Sequence, residues 1–102
     1  MANPLKGKRV VVRAPGSGVF IGTVYRMGRP NTSGLRSVTL TDAQRIWSWT
    51  GALDTATMAA SGVREAKLSP VVSIAMVPDV REIFSMSDSA DEKFKSIGVW
   101  RG

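Results

Sequence analysis

The chain of 102 residues contains no cysteine and no histidine. Without cysteine there is no disulfide, no thiolate nucleophile and no cysteine-based zinc site. Without histidine the usual proton shuttle at neutral pH is missing, which rules out Ser-His-Asp and Cys-His triads and imidazole metal ligands. Long apolar runs are also lacking: each is broken by charge, glycine or proline, well short of the roughly 20 residues that a membrane span needs. The opening Met1-Ala2-Asn3-Pro4-Leu5-Lys6 has no apolar signal-peptide core. These absences predict a cytoplasmic protein with no membrane partner. No phosphate-loop pattern is present, and Gly16-Ser17-Gly18 falls in a hairpin turn rather than at a helix start. Asp88, Asp91 and Glu92 match no calcium-loop spacing and read as a solvated helix face. Carboxylate-only catalysis has no spacing to support it. The expectation is a non-enzymatic protein without metal or cofactor.

What is present is positive charge, unevenly spread. The net charge is +6. Up to Arg45 the chain carries eight Lys/Arg (Lys6, Lys8, Arg9, Arg13, Arg26, Arg29, Arg36, Arg45) against one acid, Asp42, a balance of +7. From Ile46 onward six Lys/Arg face seven acids. A half so charged favours an anionic partner: nucleotide, nucleic acid or an acidic protein surface. Scattered charge serving solubility is the plainer alternative. A hydrophobic content of 43% supports one compact domain spanning residues 1–102.

Local patterns predict mostly strands. Lys8–Arg13 is rich in β-branched residues, Ala14–Gly18 is a glycine turn, and Val19–Arg26 completes a hairpin. Gly22, in mid-strand, marks a bulge or sharp bend. Residues 28–34 read as an exposed loop. Arg36–Thr41 is a third strand, and the tryptophan segment after it reads as strand, with helix as the alternative. Asp54–Ser61 is the best helix: Asp54 is an N-cap, Leu53 is placed to staple onto Met58, and Gly62 is a stop. A loop ends at Ser69-Pro70. Val71–Val77 is a strand that Pro78 interrupts and residues 80–86 resume, and residues 88–96 form a short acidic helical turn. Met58, Met76 and Met86 read as core, and the tail from Ile97 to Gly102 is apolar enough to dock. The fold class expected is α+β, mainly β: a small, strongly bent antiparallel sheet or barrel of the SH3/Sm-like kind with one short helix. Val71–Met76 lacks the charge that usually protects an edge strand, which predicts a homo-oligomer.

The richest segment is Asp42-Ala43-Gln44-Arg45-Ile46-Trp47-Ser48-Trp49-Thr50-Gly51. On a regular strand Arg45, Trp47 and Trp49 share one face. A guanidinium offers five donors in a planar fork and an indole offers a stacking face, so the stripe suits a flat anion. The same three residues equally suit a small core, where each indole buries about 150–250 Å². Arg9 and Arg13 share a face of the first strand and make a candidate second basic edge. Tyr25 and Arg26 close the second strand and complete the candidate set.

The segment Val38-Thr39-Leu40-Thr41-Asp42-Ala43-Gln44-Arg45-Ile46-Trp47-Ser48-Trp49-Thr50-Gly51-Ala52, with Gly18–Thr23 before it and Gly62-Val63 after it, resembles the central motif of a family of small phage and prophage proteins. Gln44 and Ser48 depart from that motif. The resemblance spans most of the chain and implies a phage protein in the cytosol of a bacterial host. In outline, Val10–Arg13, Val19–Val24 with Gly22, and Val38–Ala43 are also similar to the first three strands of Sm-like RNA-binding barrels, although the initial helix and the later glycine signature are missing.

Together these readings predict a non-enzymatic phage-type protein, a homo-oligomer binding a nucleotide-like anion. Its use would be in anti-defence, sequestering a nucleotide signal of the host. A nucleic-acid-binding module, a virion accessory protein and an inhibitor of a host protein are the alternatives.

Overall fold

The computed structural model describes residues 4–100. The signal-peptide reading of the first residues and the docking of Arg101 and Gly102 lie wholly or partly outside them. The elements are β1 (Arg9–Ala14), β2 (Gly18–Met27), β3 (Arg36–Thr50), α1 (Thr55–Ser61), β4 (Glu65–Leu68), β5 (Val72–Val80), β6 (Glu82–Ser85) and α2 (Asp88–Ile97). All strand pairs are antiparallel. β1 lies between β2 and β6, and β2 lies between β1 and β3. The far edge of β3 takes β5 along its first half and β4 along its second. Only Arg81 separates β5 from β6, and its N–H donates to the Arg13 carbonyl (2.9 Å). One bent segment therefore pairs with β3 at its start and with β1 at its end, so the sheet curls round on itself into a small barrel-like shape.

Two apolar clusters follow from the alternation of side chains. Val10, Val12, Phe20, Val24, Val38, Leu40, Ala43, Val77 and Val80 come from β1, β2, β3 and β5 and fill the interior. Val11, Ile21, Ile46 and Leu68 point outward and are covered by Met58 and Ala59 of α1, by Val63, and by Phe94 of α2. β1 is buried on both faces, which is why it reads as the unbroken apolar run Val10-Val11-Val12.

The expected bend at Gly22 is present and its cause is visible. Ile21 pairs with Gln44 and Thr23 with Thr41, so β3 places Asp42 and Ala43 opposite Gly22 alone. Asp42 takes the extra residue at φ 48°, a left-handed conformation that aspartate tolerates. A Cβ at Gly22 would lie 3.0 Å from the Leu40 Cβ and 3.3 Å from the Ala43 Cβ. Glycine lets the two walls approach at the bulge.

The helices form where local signals agree. The Asp54 carboxylate accepts the Thr57 N–H (2.7 Å), a bond that holds its pKa below the usual aspartate value, and Gly62 ends α1 at φ 79°. The expected Leu53 staple does not form: Leu53 is 90% exposed. The acidic turn at 88–96 is a full second helix. Ser87 caps it by accepting the Ala90 N–H (3.1 Å) and binds it to α1 by donating to the Ala60 carbonyl (2.8 Å). Residues 65–68, expected in a loop, form β4 along the second half of β3. Pro78 does not interrupt β5. It lies in a bulge, between the pairs Val38–Val77 and Arg36–Val80, where no ladder N–H is required of it. No helix among the described residues is long and apolar enough to cross a membrane.

Candidate ligand site at the barrel mouth

The interior cluster ends at Phe20 and Ala43. Phe20 is the register partner of Arg45, so both side chains emerge on the same face. The guanidinium carbon lies 5.1 Å from the Phe20 ring centroid and caps the end of the barrel interior. Backbone bonds fix this position: Ser69 Oγ accepts the Arg45 N–H (2.8 Å), and the Ser69 N–H donates to the Arg45 carbonyl (2.9 Å). Gln44 Nε2 donates to the Ser69 carbonyl (2.8 Å), pinning the corner where β4 gives way to β5.

Above Phe20 and Ala43 opens a concavity of about 250 Å³, walled by Arg45, Trp47, Ser69, Val72 and Ala75. Trp47 is 51% exposed there. Its ring stands edge-on to Trp100, with centroids 5.5 Å apart and planes at 77°. Trp100 is held in turn by its backbone N–H, which donates to the Leu68 carbonyl (2.9 Å), and by the Lys67 ammonium 4.8 Å from its ring centroid. Among the described residues no carboxylate pairs with Arg45. The mouth thus combines an unneutralised guanidinium, an exposed indole and an apolar floor. It can take a flat ring bearing negative charge.

Trp49 does not share this site. Ile46 pairs with Leu68 and Ser48 with Lys67, so Trp47 is the extra residue of a second bulge in β3. The bulge reverses the alternation beyond it. Ile46 and Trp49 therefore both pack on the outer cluster, and the Trp49 indole N–H donates to the Ala52 carbonyl (3.2 Å). The single face expected for Arg45, Trp47 and Trp49 is corrected: the first two belong to the mouth, and the third packs, partly buried, against the outer cluster. A shallower groove of about 430 Å³ passes Trp49, Lys67 and Trp100, but Glu65 lines it and disfavours an anion.

The second basic edge is also corrected. Arg9 Nε pairs with Asp91 (3.2 Å), and its Nη1 donates to the Asp42 carbonyl (3.0 Å), tying α2 to the β3 bulge. Arg13 pairs with Glu82 at 3.6 Å. Both cations are engaged within the fold. Asp91 is taken by Arg9 and Lys95, and Glu92 also faces Lys95. Tyr25 is 60% exposed, but it lies five residues along β2 from Phe20, roughly 17 Å at strand rise, and Arg26 is beyond it. Neither reaches the mouth. Met76 is 68% exposed, whereas Met58 is fully buried and Met86 packs against the outer cluster.

Phe20, Ser69, Val72 and Ala75 are site residues that the sequence pattern did not single out. Phe20 could be found only through the 20–45 register, and Ser69 only by knowing that β4 precedes it.

Fold and site together define a small, strongly bent, barrel-like antiparallel β domain with helices on its outer wall and an aromatic, cationic mouth. Residues 7–94 match the family described as a domain of unknown function, DUF6948, and the chain belongs to that family. No curated protein and no solved structure matches it significantly.

Proposed function

We propose that this protein is a non-enzymatic binding protein whose barrel mouth holds a nucleotide-like anion. One observation carries the reading: Arg45, with no carboxylate partner among the described residues, and the exposed Trp47 wall the same concavity over the Phe20 ring. Base stacking on an aromatic contributes about 1–3 kcal/mol, and a hydrogen bond to a charged group about 1.5–3 kcal/mol. The volume of about 250 Å³ is below the roughly 300–1,000 Å³ of complete small-molecule sites, which suits one ring or one end of a larger ligand. The resemblance to phage proteins supports a use in anti-defence, with the protein sequestering a host nucleotide signal as a homo-oligomer in the bacterial cytosol.

Titration calorimetry with AMP, ATP and cyclic di-AMP, with inorganic phosphate as reference, tests the reading. Nucleotide affinity well above that for phosphate, lost in Arg45→Ala with the fold intact, supports it. Affinity no tighter than for phosphate refutes it. Binding that rises with polymer length and falls steeply with salt would point to nucleic acid instead. A tight protein partner with no ligand would point to a virion or host-inhibitor role.

A further inference from the structure

Among the described residues the outer edge of β5 has no strand partner. From Val72 to Met76 the strand pairs with β3 on one side only, and β1 ends at Ala14, beside Arg81, before it could cover the other. Val72, Ile74 and Met76 project from one face and are 47%, 68% and 68% exposed, with Val71 beside them at 56%. No charged residue occurs from Val71 to Val77, and prolines stand at 70 and 78. The edge carries none of the lysines or inward charges that normally block strand addition.

We propose that β5 pairs antiparallel with β5 of a second copy across a two-fold axis at Ile74, joining two barrels in one continuous sheet. This deepens the oligomeric part of the reading above and rests on that part alone, not on the ligand. Charge selects the occupant. An acidic partner would be drawn to the arginines and lysines and gains nothing from an uncharged strand. Two copies of a +6 chain, by contrast, approach with least repulsion where neither carries charge. The pattern is also self-complementary: pairing centred on Ile74 sets Ile74 against Ile74 and Val72 against Met76 on a shared face. A two-fold contact of this kind closes, and it leaves no free edge on that strand for further growth.

The chain has no cysteine, so Ile74→Cys gives an unambiguous probe. Residues opposite each other across an antiparallel pair have Cα atoms about 4.5–5.5 Å apart, within the roughly 4.4–6.8 Å that a disulfide spans. Mild oxidation is expected to link Ile74→Cys quantitatively into dimers and to leave Thr57→Cys, on α1, unlinked. Sedimentation velocity should show wild type as an even-numbered oligomer and Ile74→Lys reduced to half that mass or less, with its secondary structure by circular dichroism unchanged. A monomeric wild type overturns the proposal, as does an oligomer that survives Ile74→Lys without an Ile74→Cys crosslink. The nucleotide titration on the same samples separates the two readings. A monomer that binds nucleotide refutes the seam and leaves the mouth standing, whereas an Ile74-linked dimer that binds none does the reverse.

Discussion

Replacing each tryptophan of the Trp47-Ser48-Trp49 segment by alanine should produce opposite phenotypes. Trp47 is half exposed, so of the roughly 150–250 Å² an indole can bury it has about half. At about 25 cal/mol per Å² that is about 2–3 kcal/mol as an upper bound, reduced by about 10–40% for a realistic unfolded chain. Trp47→Ala should therefore destabilise the fold by about 1–3 kcal/mol, with part of the Trp100 edge contact included. Trp49 packs on the outer cluster beside Ile46 and donates to the Ala52 carbonyl, so Trp49→Ala should cost about 3–5 kcal/mol. Each kcal/mol is worth roughly 4–8 °C of melting temperature in a domain of about this size, which resolves the two variants by calorimetry. Binding should invert the order. Trp47→Ala loses a stacking partner worth about 1–3 kcal/mol, a weakening of about 5- to 150-fold, while folded Trp49→Ala binds as wild type. Equal stability losses, or binding lost in Trp49→Ala and kept in Trp47→Ala, would refute the bulge at Trp47 as the device that separates the two indoles.

Gly22→Ala should destabilise by about 1–2 kcal/mol: crowding against the buried Leu40 and Ala43 costs about 1–3 kcal/mol, and the reduced unfolded-state entropy offsets about 0.4–1 of it. Arg9→Met should weaken the fold by about 2 kcal/mol, since it removes charged hydrogen bonds to Asp91 and to the Asp42 carbonyl, and should leave nucleotide affinity unchanged in the folded protein. Asp54 has its pKa lowered below 3.8, first by the backbone N–H of Thr57. Its cap contribution is then fully present above that ordinary value and is lost as pH falls through the lowered folded value. The melting difference between wild type and Asp54→Ala should be constant near neutrality and shrink in strong acid, whereas the difference between Asp54→Asn and Asp54→Ala, neither of which titrates there, should show little such dependence.

Much of the fold is legible in the chain because local signals agree with the tertiary arrangement. Val10–Val12, the glycine turn and Val19–Val24 carry β-branched residues on both sides of one hairpin. Asp54 and Gly62 bracket α1, and Gly22 marks the bend. The pairing of Arg45 with Trp47 at the site is likewise readable from their spacing of two. What fails is period-two counting through the bulges at Asp42 and Trp47. Each inserts one residue and turns every later side chain to the other face, and neither carries the glycine that would announce it. Glu65-Ala66-Lys67 is too polar to read as strand until β3 is seen to offer an edge. Arg9 reads as a free cation because its partner Asp91 is 82 positions away. Pro78 reads as a break because its bulge depends on the register with β3.

Capture of a nucleotide-like anion at the mouth formed by Arg45 and Trp47 is the proposal on which the functional reading stands. The most direct test is native mass spectrometry of wild type and Arg45→Ala after incubation with a nucleotide extract of a bacterial host. A discrete mass added per subunit or per subunit interface is expected in wild type, and none in the equally folded variant. No added mass in wild type, or the same mass retained by Arg45→Ala, would contradict it.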